Sequence, residues 1–278
     1  MNLIEALPLG ILEGVTEFLP VSSTGHLAIA EGLLGLKVDD PGVTAFTAII
    51  QVGAILAVII YFRSDIGRLA SAWLRDLVNG KAREAPDYRF AWHVILGLIP
   101  IGIVRLSSPR PDLGASAQLV GRGAGARGLE RGVWIAERVG KRDRPESSLN
   151  LKDAVIIGLV QCVALIPGVP RSGATISAGL LRDLDRVAAT RLAFFLAIPA
   201  LVAAGAYEAI KEASVISMGV GCLPTVLATE VSFVVGYASI TWLLRFVAKH
   251  SITVFIWYRV ALAAVIAVLL GTGMPSPT

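Results

Sequence analysis

Apolar runs of membrane-spanning length, broken by short basic stretches, constrain this 278-residue chain more than any other feature. Five of them, at about 43–62, 90–106, 191–209, 225–244 and 252–272, approach or reach the roughly 20 residues that cover a ~30 Å hydrocarbon core. Backbone polar groups inside lipid must be satisfied within a helix or a closed barrel, and continuous runs of this length fit helices. The expected fold class is therefore an all-α polytopic membrane protein. Composition agrees: 55% hydrophobic and 17% charged residues, with a mean hydropathy of +0.70, exclude an ordinary soluble domain. The net charge of +4 does not point to nucleic acid, because Lys and Arg fall mainly between the apolar runs, where they orient a chain in the membrane.

Two further apolar stretches, 3–19 and 153–166, run into Pro20 and Pro167 followed by polar residues. They predict two re-entrant helix pairs, whose irregular turns must be lined by protein or water. Arg63, Arg68, Arg75, Lys81, Arg83 and Arg89 mark one basic loop, and Arg138, Lys141, Arg142, Arg144 and Lys152 another. By the positive-inside tendency both are cytoplasmic, which requires a crossing somewhere in 107–136. Arg245, Lys249 and His250 form a third basic turn on that side, leaving both termini outside. A repeat is visible as well. Gly10 matches Gly158, Glu13 matches Gln161, Pro20 matches Pro167 after one deletion, and the run from Thr47 can be laid on the run from Ala193. With the loop sides above, this predicts one membrane domain over 1–278 with approximate inverted-topology repeats 1–136 and 153–272. About six transmembrane helices are expected, with a site near the midplane between broken helices.

Residues 105–132 do not fit. They carry Arg105, Arg110, Arg122, Arg127 and Arg131 where the topology requires a lipid-facing helix, and they read as a local frameshift. The glycine pattern from Gly123 has no preceding strand and carries no dinucleotide-binding argument. Cys162 and Cys222 lack metal-ligand spacing and read as buried inert thiols. The N-terminus has no basic segment and contains Glu5, which argues against a cleaved signal peptide.

Two motifs carry chemistry. In "EGVTEFLPVSSTGH", Glu13 and Glu17 are four apart and share a helix face, surrounded by Ile11, Leu12, Val15, Phe18 and Leu19. Like charges at membrane depth are costly unless a cation, an arginine or protonation offsets them, so the pair is a candidate for binding a divalent cation or handling protons. Pro20 ends the helix, and Ser22, Ser23 and Thr24 precede His26 in a turn that could bind an anion, present a nucleophile beside a base, or cap the next helix. In "PGVPRSGAT", Arg171 stands with Ser172 and Thr175 at the start of an apolar helix, a good phosphate or oxyanion site. An arginine paired with Glu13 or Glu17 is the other reading. Gln51, His93, Glu208, Glu230 and Arg259 suit interhelical bonds, and Trp257 and Tyr258 suit packing or an interfacial belt.

These two motifs, together with "LGLIPIGIV", "WIAERVGKR" and "RLAFFLAIPA", resemble the signatures of the BacA-type undecaprenyl-diphosphate phosphatases over nearly the whole chain apart from 105–132. The resemblance implies hydrolysis of undecaprenyl diphosphate to the monophosphate carrier lipid of cell-envelope synthesis. It also implies dependence on a divalent cation, Mg or Ca, held by Glu13 and Glu17, and a site facing outside at the bacterial inner membrane. Carried over position by position, it makes Glu13, Glu17, Ser23, His26 and Arg171 catalytic, and Ser22, Arg171, Ser172 and Thr175 substrate-binding. Pro170 departs from the family, which usually has Ser there, and removes a hydroxyl and an N–H donor. The expected partners are the lipid diphosphate, membrane lipids and a second copy of the chain, with no nucleic acid. A transporter or flippase for a phosphorylated lipid, or an inactive relative, is the rival expectation, since broken helices and inverted repeats are frequent in transporters.

Overall fold

A computed structural model describes residues 1–37, 40–78, 85–107, 128–166, 168–218 and 221–271. Apart from an isolated bridge between Arg144 and Leu184, every regular element among them is helical. In chain order these are α1 (Leu3–Thr16), α2 (Ser23–Leu33), α3 (Pro41–Tyr61), α4 (Arg63–Val78), α5 (Pro86–Ser107), α6 (128–139), α7 (Leu151–Gln161), α8 (Arg171–Leu181), α9 (Arg186–Met218), α10 (Cys222–Val247) and α11 (Thr253–Gly271). Among the described residues four helices are long and apolar enough to cross a membrane, at Pro41–Tyr61, Pro86–Ser107, Arg186–Tyr207 and Cys222–Val247, with a shorter apolar helix at Thr253–Val265. The chain is an all-α, multi-pass membrane protein. Of the stretch in which a further crossing is required, 128–139 is helical, while most of the Arg-rich segment, 108–127, lies outside the described residues.

Both proline-broken stretches fold as helix, turn, helix. Asn2 caps α1 and Asn150 caps α7, each in a reciprocal capping box closed by Glu5 and Asp153 respectively. The boxes, the matched glycines Gly10 and Gly158, and the starts of α2 and α8 all recur at one common offset.

The chain divides into two compact units, Met1–Val58 with Leu201–Arg245 and Ser251–Thr278, and Ile59–Ala200 with Phe246–His250. In the first unit, Ala6 and Leu9 of α1, Leu27 of α2, Phe46 and Ile50 of α3, and Ala228 of α10 share one buried core. Small residues draw the backbones together. A Cβ added to Gly10 would stand 2.4 Å from the Ala228 carbonyl oxygen, one on Gly14 2.7 Å from that of Ser232, and one on Gly53 2.2 Å from that of Thr229. Thus α1 and α3 both rest directly on the backbone of α10, as small residues allow where lipid supplies no hydrophobic drive.

In the second unit α5 packs on α7 in the same way, since a Cβ on Gly158 would meet the Gly97 carbonyl oxygen at 2.0 Å. Its basic segments are largely spent on ion pairs. Asp153 at the start of α7 is bonded by Arg144 (2.6 Å) and by Arg182 at the end of α8 (2.8 Å), which closes the base of the α7–α8 hairpin. Glu137 holds Arg142 and Arg186, and Arg191 bridges Asp65 and Glu146. Around Asp65, burial pushes the carboxyl up, but the hydrogen bonds from Arg68 and Arg191 outweigh it and hold the group below its ordinary value. Of the two cysteines, Cys162 is half-buried, whereas Cys222, expected to be buried, is exposed at the start of α10. It opens the helix in the turn after Gly221, so little chain covers it.

Candidate active site

The first motif occupies the end of α1, a turn, and the first turn of α2. Gly10 and Gly14 seat α1 on α10 three residues before and one after the first acid of the motif, so the position of Glu13 is set by backbone contact. Glu13 is buried and Glu17 half-buried. The Glu17 backbone N–H donates to the Glu13 carbonyl at 3.0 Å, which places the two side chains on successive turns of one face. As C-cap residue, Glu17 puts its carboxylate at the negative end of the α1 dipole, where it needs a compensating donor or cation.

One donor comes from the chain itself. Ser23 Oγ donates to Glu17 Oε2 at 2.6 Å. The contact places a carboxylate side chain against a candidate nucleophile. His26, three residues further on, is engaged elsewhere. Its Nδ1 lies 2.7 Å from the Ser22 carbonyl and its Nε2 2.8 Å from the Tyr258 hydroxyl. A carbonyl only accepts, so Nδ1 carries the proton; in a neutral ring Nε2 then accepts from the Tyr258 hydroxyl. Of these side chains it is Glu17 that bonds Ser23, while both ring nitrogens of His26 are engaged with Ser22 and Tyr258.

Ser22 turns its carbonyl to His26 by adopting φ 75°, ψ 96°, a conformation unfavourable for a side-chain-bearing residue. Strain of this kind, about 1–3 kcal/mol, concentrates at functional sites. Ser22 is the N-cap of α2 but makes no capping bond, so the N–H groups of the first turn face outward with the positive end of the dipole.

The second motif is built in parallel. After α7 the chain makes a 3-10 turn over Cys162–Leu165 and passes Gly168, whose φ of +87° only glycine adopts without cost. Pro170 then caps α8 without a side-chain bond, leaving a helix N-terminus that begins with Arg171 and Ser172. Arg171 is half-buried and Ser172 buried. Thr175, fully buried, gives its hydroxyl proton to the Arg171 carbonyl at 2.8 Å and faces the Ser172 carbonyl at 3.2 Å. Its bond steadies the turn that presents Arg171 and Ser172, and only its lone pairs remain for another partner.

Sequence reasoning passed over two polar residues of the first unit. Tyr258, assigned to packing or an interfacial belt, is the partner of His26, with rings parallel to within 5°. Nothing in the local sequence of α11 signals this, because the two residues are 232 apart in the chain. Glu31, buried in α2, accepts from Thr47 Oγ1 at 2.8 Å and ties α2 to α3. Its place one helical turn beyond Leu27 was the available signal. Of the residues assigned to interhelical bonds, His93 is buried with Nδ1 unpartnered among the described residues, Glu230 is exposed, and the Glu208 side chain lies outside the described residues.

A sequence profile described as bacitracin resistance protein BacA matches residues 6–265. This chain belongs to the BacA family. Among its BacA-type relatives, undecaprenyl-diphosphatase 3 of Frankia casuarinae is 54% identical, with 100% of both chains covered. Undecaprenyl-diphosphatase of Acidothermus cellulolyticus is 51% identical with 99% of each covered, and undecaprenyl-diphosphatase 1 of Streptomyces avermitilis is 51% identical with 99% of each covered. The BacA match spans both motifs and both helix hairpins.

Among the described residues no group of three or more His, Cys, Asp or Glu could hold a metal ion. Two carboxylates on adjacent turns nevertheless fit a hard cation of the Mg²⁺ type, which binds proteins through one or two carboxylates and completes its shell with water and substrate phosphate.

Proposed function

We propose that this chain hydrolyses undecaprenyl diphosphate to undecaprenyl phosphate and inorganic phosphate. The observation that carries the reading is the 2.6 Å bond from Ser23 to Glu17, in a chain about half identical over its full length to proteins named undecaprenyl-diphosphatase. In the first step Glu17 takes the proton of Ser23 as Oγ forms a bond to the terminal phosphorus. The bond between that phosphorus and the bridging oxygen breaks, and undecaprenyl phosphate leaves. Water then attacks the phosphoserine: its hydroxyl bonds to phosphorus as the Oγ–P bond breaks, its other proton passes to the Ser23 oxygen, and Glu17 gives its proton to the departing inorganic phosphate, so both residues are restored.

Arg171, which the family signature assigns to the phosphate, would hold two of its oxygens with a planar fork, and the first turn of α2, uncapped by the Ser22 side chain, offers backbone N–H groups beside Ser23. Ser22 and Ser172 add hydroxyls. Glu13 and Glu17 are the residues that would hold a divalent cation, whose contribution is to neutralise phosphate charge. His26, clamped by Ser22 and Tyr258, orders the turn that carries Ser23; as an attacking group itself it would first have to leave Tyr258.

The test is phosphate release from a C55 lipid diphosphate by the purified chain, with and without divalent cation. Release that needs the cation is expected, and lipid movement across a bilayer without release would replace hydrolysis by transport. The proposal includes a site on the outer face of the bacterial inner membrane. A Cys placed at Arg75 should accordingly resist an impermeant reagent outside intact cells. The homodimer is tested by light scattering of the solubilised chain.

A further inference from the structure

The last residue of α7, Gln161, is 0% exposed, and neither its Nε2 nor its Oε1 has a hydrogen-bond partner among the described residues. A primary amide offers two donors and an acceptor, and burying all of them unmet is unfavourable compared with an apolar side chain of like volume. The same helix shows what a buried polar group kept for the fold looks like. Asp153, also 0% exposed, is bonded to Arg144, Arg182 and the Asn150 backbone. Gln161 has no such set, although Ala154, Ile157 and Gly158 complete an otherwise ordinary buried face.

Gln161 belongs to the α7–α8 hairpin. It stands where α7 ends and the chain turns toward α8, whose uncapped N-terminus carries Arg171 and Ser172, and α7 packs on α8. It also matches Glu13 at the common offset that relates the two capping boxes. At that repeat position the first half has an acceptor-only carboxylate suited to a cation, and the second has a neutral donor suited to an anion. We propose that the Gln161 amide donates to a phosphate oxygen of the substrate held at the head of α8. This rests on the phosphatase reading and adds a binding residue to it.

The experiment compares Gln161→Leu, Gln161→Met and Gln161→Glu with wild type. Melting is followed with and without inorganic phosphate, and turnover is followed on the C55 diphosphate. Gln161→Leu should melt no lower than wild type, lose most of the phosphate-induced rise in melting temperature, and fall about tenfold or more in kcat/KM, as loss of a bond to a charged group implies. Gln161→Glu should fall at least as far, because its charge opposes the phosphate. A Gln161→Leu protein within about twofold of wild type in kcat/KM, with its phosphate response intact, overturns the proposal. So does failure of both Leu and Met variants to fold, which would place the amide in the fold instead. If wild type releases no phosphate from the lipid, the phosphatase reading fails, while the phosphate-induced melting shift still decides the role of the amide.

Discussion

At the scale of single residues, the proposed pairing of Ser23 with Glu17 can be tested separately from His26. Ser23→Ala should abolish phosphoenzyme trapped from lipid labelled in its terminal phosphate, and an acid-stable adduct in wild type should mark phosphoserine. Full turnover in Ser23→Ala removes serine as nucleophile. Glu17→Gln keeps the size of the side chain and loses the base, so kcat should fall by about two orders of magnitude or more with folding unchanged. Tyr258→Phe removes one hydrogen bond from His26 and should lower kcat/KM by roughly twofold to tenfold. An unchanged value would reduce Tyr258 to packing. The acidic pair, the broken helix and the arginine turn were all legible in sequence, because spacing and proline report local geometry. The Tyr258 contact was not, because a bond between residues 26 and 258 depends on how α11 is placed, and helix periodicity carries no such information.

At the scale of elements, the seam between α1 and α10 is the most demanding feature. Gly14→Ala would set a Cβ 2.7 Å from the Ser232 carbonyl oxygen and 2.9 Å from the Gly236 nitrogen, both backbone atoms that cannot rotate away. The helix must shift, at a cost of about 1–3 kcal/mol, and it carries Glu13 and Glu17 with it. Displacement near 1 Å can lower a rate about a hundredfold, so activity should fall further than stability. Gly67→Ala in α4, where nothing lies within 4 Å, is the control and should leave both intact or raise the melting temperature.

The ion pairs around Asp65 make a separate prediction. Its folded carboxyl titrates below the ordinary value of 3.8, so its contribution is fully present above that pH and is lost as pH falls through the folded value. The melting temperature of wild type should exceed that of Asp65→Asn near neutrality, and the gap should close in acid below 3.8. A gap independent of pH would mean that Arg68 and Arg191 contribute nothing through charge. Sequence placed Arg68 in a basic loop and read it as an orientation signal, and it gave Arg191 no role. That both are matched by acids could not be read, because partners such as Asp65 and Arg191 come from separate elements.

At the scale of the whole molecule, the membrane class and the two helix hairpins follow from runs of apolar residues ended by proline, which is why they were legible in the sequence. The division into two compact units was not, since each unit draws on both halves of the chain. The first unit has a mechanical consequence. A spanning helix tilts to match the thickness of the bilayer around it. α10 is such a helix, and α1 and α3 lie against its backbone without side chains between to absorb a change of angle. Tilting α10 therefore moves the acidic pair, and the rate should pass through a maximum as acyl length is varied in reconstituted bilayers. The lipid would then be at once the medium, the substrate's home and a mechanical control on the rate.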